Sequence, residues 1–158
     1  MRELAAFAGQ YAAYAVWILS EGDDLSPFLV SDLGEGGELT MLDTGRRDRA
    51  VEAGRKMLVA GAAGRRLAAV FYDSYLHLSA GRGDALVVEA WSDIEGGGFK
   101  LAVPYRRPAE GARFWIGPPE LQWCSVAGID INELATSFFE GVERDPEAAA
   151  AWDAHLES

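Results

Sequence analysis

One cysteine and two histidines among 158 residues leave little material for metal or thiol chemistry. A zinc site needs several such ligands converging on one point, and His77, Cys124 and His155 are scattered along the chain. No metal and no cofactor is therefore expected. A lone cysteine forms no intramolecular disulfide, which suits a reducing compartment. Basic residues are also scarce, 14 Lys and Arg against 25 Asp and Glu, for a net charge of −11. Such a surface repels a phosphate backbone, so nucleic-acid binding is not expected. The apolar stretch from Leu4 to Leu19 spans 16 residues, broken by Gln10, and falls short of a membrane span. Ala13-Tyr14-Ala15 looks like a leader-peptidase site, but Glu3 cancels the charge of Arg2 in front of it. A cytoplasmic protein with no membrane contact is the expectation.

The charge is unevenly spread. Residues 1–43 carry a net of −7 and residues 114–158 a net of −8, while residues 44–113 carry +4. The middle segment holds Arg46, Arg47 and Arg49 at the start of a helix, and Arg106, Arg107 and Arg113 around a Pro/Glu/Gly linker at 107–111. Cations at a helix N-terminus oppose its dipole. They are expected either to pair with the acidic ends of the chain or to hold an anionic ligand or partner.

Hydrophobic spacing then gives the elements. Leu4, Phe7, Ala8 and Tyr11 mark one face of an N-terminal helix, and "AYAVWILS" (13–20) reads as a buried strand, unless the helix continues to about Leu19. "SPFLVSDL" (26–33) is a strand with Pro27 at its start, and "GEGG" (34–37) turns it into "ELTMLD" (38–43). Asp43 or Thr44 caps a middle helix to Ala60, its inner face formed by Ala50, Val51, Gly54, Met57 and Leu58, with Gly61 and Gly64 ending it. Strands at 68–79, 84–92 and 99–106 form an antiparallel meander. "RFWI" and "LQWCSVA", joined by "GPPE", read as a short hairpin or corner. Asp130 and Glu133 form a capping box, and Asp145-Pro146 starts a last helix toward Leu156.

The fold expected is α+β: one domain over 1–158, with an antiparallel sheet, an N-terminal helix, a middle helix and two C-terminal helices in about 130–157. The order α-ββ-α-βββ-α resembles that of roadblock-type dimerisation modules. The variant with three strands before the middle helix is similar to small acidic secretion-chaperone-like domains. The first resemblance implies a dimer.

Candidate sites are few. Asp73, Tyr75 and His77 share a strand face and form a possible acid–base row or ligand pocket, with Arg106 or Arg107 for an anion. Cys124 has no base near it in sequence and reads as structural. The tracts 34–37 and 96–98 precede strands and offer no phosphate cradle. Arg82-Gly83-Asp84 has the composition of a turn. Five tryptophans are many for this length, and Trp115, Trp123 and Trp152 are the candidates for an interface. The leading expectation is a non-enzymatic protein-interaction module, acting as a homodimer or on another protein. The alternatives are a small-molecule-binding or enzymatic domain on the His77 face, or an acidic neutraliser of a basic protein.

Overall fold

The computed structural model describes residues 1–32, 37–42, 46–60, 67–107 and 113–156. Residues 2–20 form one continuous helix, α1 (Arg2–Ser20), rather than a helix followed by a strand. Leu4, Ala8, Ala12, Ala13, Ala15, Val16 and Leu19 are all buried, because α1 lies between the sheet and the two C-terminal helices. A helix covered on several sides is apolar all round, and that pattern imitates a buried strand.

Strands β1 (Phe28–Asp32) and β2 (Gly37–Met41) precede helix α2 (Arg47–Ala60). Two strands, not three, are thus found before α2 among the described residues, which removes the ground for the chaperone-like resemblance. The expected caps at Asp43 and Thr44, the turn at 34–36, the stop at Gly61 and Gly64 and most of the 107–111 linker lie outside the described residues. The meander follows as β3 (Leu67–Leu78), β4 (Gly81–Ser92) and β5 (Gly97–Arg106), then β6 (Trp115–Ile116), β7 (Glu120–Cys124), α3 (Ile131–Val142) and α4 (Pro146–His155).

All seven strands join one antiparallel sheet in the order β2-β1-β3-β4-β5-β6, with β7 also on β5. The α+β class with an antiparallel sheet and four helices is what the sequence predicts. Strands β6 and β7 do not pair as a hairpin. They lie one after the other along the same edge of β5, β6 at Tyr105 and Arg106 and β7 at Phe99–Ala102. The proline pair turns the chain between them.

Side chains alternate across the sheet into two cores. Phe28, Phe71, Leu86, Val88, Phe99 and Val103 meet α1, α3 and α4. Leu29, Val70, Tyr72 and Val87 meet Ala50, Val51, Met57 and Leu58 of α2, the inner face predicted for it. In β5 the second face is drier than expected, because Ala102 and Pro104 are buried as well as the four apolar side chains opposite. The tip of the β3–β4 hairpin accounts for part of this cover. Ser79 donates its backbone N–H and its hydroxyl to the two carboxylate oxygens of Glu120, each at 2.9 Å, which ties the tip across β5 to β7.

The C-terminal caps match their sequence signatures. Asp130 accepts from the N–H groups of Asn132 and Glu133, and Asp145 from those of Glu147 and Ala148. Glu133 does not reach back to complete the box; its carboxylate pairs with Arg2 of α1 and ties the two helices together.

Candidate functional site

The Asp73–Tyr75–His77 row exists as a row but not as a working acid–base set. All three side chains continue the face of Phe71, and their cross-strand partners are Leu86, Asp84 and Arg82. The helical layer ends before the row does, so Tyr75 and His77 are exposed while Asp73 is half-buried. Asp73 accepts a hydrogen bond from the Tyr105 hydroxyl at 3.2 Å. Burial, with the charge of Asp73 behind it, pushes the Tyr105 phenol up to about 12, and Arg107 opposes that shift. Arg107 pairs with Asp24 at 3.3 Å. The real cluster is therefore Asp73, Tyr105, Arg107 and Asp24, and His77 stands outside it, opposite Arg82.

Sequence reasoning missed the polar centre on the other face. Arg55 of α2 donates through Nε to Glu89 and through its terminal nitrogen to the Tyr72 hydroxyl, both at 2.8 Å. The Tyr72 hydroxyl donates in turn to Glu89 at 2.7 Å. Burial first, then the bond and charge of Glu89, raise the Tyr72 phenol well above its ordinary value. One signal was present: Glu89 is a single charge inside "ALVVEAW", and a charge in an apolar strand needs a partner. The arrangement clamps α2 onto the sheet. Glu89→Ala is expected to lower stability by about 2 kcal/mol, because Arg55 and Tyr72 lose a shared acceptor. A urea titration checks this; a change under about 0.5 kcal/mol, the size of an ordinary surface substitution, would mean the clamp contributes little.

The three interface candidates part company. Trp152 is 1% exposed and packs edge-on against Phe138 and Phe139, so it is a core residue and offers no outer surface. Trp115 is half-buried under the Arg106 guanidinium, 5.4 Å from its ring. Trp123 is 52% exposed on β7. Beside β7, an apolar cleft of about 140 Å³ opens between the proline corner and α3, lined by Leu101, Pro118, Pro119, Leu121, Leu134 and Phe139 among others. Ile131 and Phe139 stand at its rim, 61% and 40% exposed. Around the proline pair, then, the Trp115 indole packs, that of Trp123 is presented, and half-buried Cys124 pairs in register with Phe99.

A second, larger groove of about 380 Å³ takes in Tyr75, Arg82, Tyr105, Arg106 and Trp115. Of the predicted pocket residues it contains Tyr75 and Arg106; Asp73, His77 and Arg107 do not line it. His155 is placed structurally, with Nδ1 3.1 Å from the Phe114 carbonyl and its ring edge-on to Phe114. Among the described residues, no group of three or more His, Cys, Asp or Glu side chains is placed to hold a metal ion. No helix among them is long and apolar enough to cross a membrane. Comparison with protein-family models, with curated proteins and with solved structures found no match.

Proposed function

We propose that the chain is a non-enzymatic protein-interaction module of the cytoplasm, and that its working surface is the face shared by α3 and β7. The observation that carries this reading is the coincidence of an apolar cleft, two exposed large apolar side chains at its rim and an edge strand. Ile131 and Phe139 stand at the cleft, β7 pairs with β5 alone among the described strands, and Trp123, in register with Lys100, is exposed on the opposite face of the same strand. An extended partner segment that adds to the free edge of β7 gains main-chain hydrogen bonds there and drops an apolar anchor into the cleft.

Charge selects the partner. The C-terminal third has a net of −8, and Asp130, Glu140 and Glu143 are exposed around the apolar centre. A second copy presenting the same face would set these carboxylates against each other, whereas a segment with apolar anchors and basic flanks is complementary. A basic protein partner is thus favoured over self-association through this face.

Panning a random peptide library on the immobilised protein tests the reading. Enriched peptides are expected to combine large apolar residues with Lys or Arg, and to bind more weakly as salt rises. The double variant Ile131→Glu/Phe139→Glu is expected to weaken them by about 30-fold or more, the loss of a central anchor. Ile131 is 61% exposed and Phe139 40%, and a urea titration of the variant checks that the fold survives. Peptides that bind the variant as well as the parent would refute the assignment. A dimer in sedimentation that the same substitutions dissolve would give the face to a second copy instead.

A further inference from the structure

We infer that the groove between the tip of the β3–β4 hairpin and the β5–β6 end binds a small monocarboxylate carried on a planar aromatic ring. It is separate from the cleft at α3, and it arises from one residue in the meander. Strand β4 follows β5 only as far as the pair Ala85 and Pro104. Proline has no N–H to continue the ladder. Beyond it β5 takes β6 as its partner, at Tyr105 with Ile116 and Arg106 with Trp115, while β4 runs on with β3 to Gly81. The two strand pairs separate, and the space between them is about 380 Å³, within the range of small-molecule sites.

The lining carries two guanidiniums, Arg82 and Arg106, and two carboxylates, Asp84 and Glu120. Arg106 lies over the Trp115 ring and Arg82 over the Tyr75 ring, each guanidinium carbon 5.4 Å from the ring centre. Neither guanidinium meets a carboxylate among the described residues, whereas Arg2, Arg55 and Arg107 each do. The Trp115 Nε1 hydrogen is also buried without an acceptor. Two guanidiniums at one groove, each without a carboxylate partner among the described residues, are conspicuous in a chain of net charge −11. The planar fork of arginine matches a carboxylate.

Two further features narrow the ligand. Asp84 and Glu120, the latter already holding Ser79, balance the formal charge of Arg82 and Arg106 in the groove. One negative charge is favoured there over the two of a phosphate monoester. The walls suit a flat ring, since Trp115, Pro104, Pro118 and Tyr75 all line the groove. Gly117 sets the indole in place, because a Cβ there would meet its Cη2 atom at 3.0 Å.

The test uses 2-naphthoate, with 2-naphthamide and 2-naphthyl phosphate as comparisons, read by calorimetry and by the indole N–H resonances of the full chain. Naphthoate is expected to bind and to move the Trp115 resonance more than that of Trp123. Arg82→Gln and Arg106→Gln, both at exposed side chains, are each expected to weaken it by about tenfold or more, the loss of one charge-assisted pair. Ile131→Glu/Phe139→Glu should leave it unchanged, which keeps this outcome distinct from that of the α3–β7 face. Equal binding of the uncharged amide, tighter binding of the phosphate, or indifference to both arginine variants would overturn the inference.

Discussion

Gly141→Ala is expected to cost about 3 kcal/mol or more of folding stability, and Gly9→Ala a similar amount, although alanine is the better helix former by about 1 kcal/mol. The cause is the crossing of α1 and α3. A Cβ on Gly141 would lie 2.8 Å from the Cα of Ala6 and closer still to its carbonyl. A Cβ on Gly9 would lie 2.9 Å from the carbonyl carbon of Phe138 and again closer to the oxygen. Both obstacles are backbone, so neither can swing aside, and the helices must move apart. Separation unseats Leu4, Phe138, Val142 and Trp152, which fill that layer at 1% exposure or less. Close packing makes such a shift costly along its whole length. Gly54→Ala is the control. Its Cβ would meet the Leu42 Cδ1 at 2.6 Å, the end of a side chain that can rotate, so a much smaller loss is expected. Urea midpoints of the three variants measure the contrast. Parent-like stability of Gly141→Ala would mean that α1 and α3 do not cross this closely.

That glycine pair also marks the limit of what the residues alone reveal. Local chemistry was readable: the Asp130 and Asp145 caps, the apolar face of α2 and the alternation of the meander each depend on a few neighbouring residues. Long-range placement was not. Nothing near Phe28 says that β1 will pair with β3, and nothing in "GPPE" says that β6 and β7 will share an edge of β5 instead of pairing together. The stretch 13–20 was ambiguous for a physical reason, since burial on several sides erases the periodicity that separates helix from strand. The candidate sites divide in the same way. Arg106 and Tyr75 were singled out for their chemistry, and they do line one groove, but Arg82 read as a turn residue until the hairpin placed it over Tyr75. Composition shows that the tryptophans are many; only packing shows that Trp152 belongs to the core and Trp123 to the surface.

Alkaline pH is expected to unfold the protein between about pH 10 and pH 12, and tyrosine is the reason. In the folded chain the Tyr105 phenol is pushed up to about 12 and Tyr72 is raised further, chiefly because both are buried. Tyr11 is raised by burial too, with Asp32 adding to it. An unfolded tyrosine releases its proton at about pH 10, so above that value the unfolded chain binds fewer protons than the folded one. Stability is then fully present below about pH 10 and falls as pH rises toward the folded values, by about 1.4 kcal/mol per pH unit for each such tyrosine. Tyr72 and Tyr105 together remove about 5 kcal/mol over two pH units, which is comparable with the whole stability of an ordinary domain. The raised phenols also have functional neighbours. Tyr105 lines the arginine groove and holds Asp73, and Tyr72 holds the Arg55–Glu89 clamp, so deprotonation would loosen both faces of the sheet together. Urea titrations from pH 8 to pH 11, followed alongside phenolate absorbance, test this directly. In Tyr105→Phe the slope above about pH 10 should fall by roughly half, since one of the two buried phenols has been removed. Nearly complete phenolate absorbance at about pH 11 in a chain that is still folded would show that neither hydroxyl is held as the Asp73 and Glu89 contacts require.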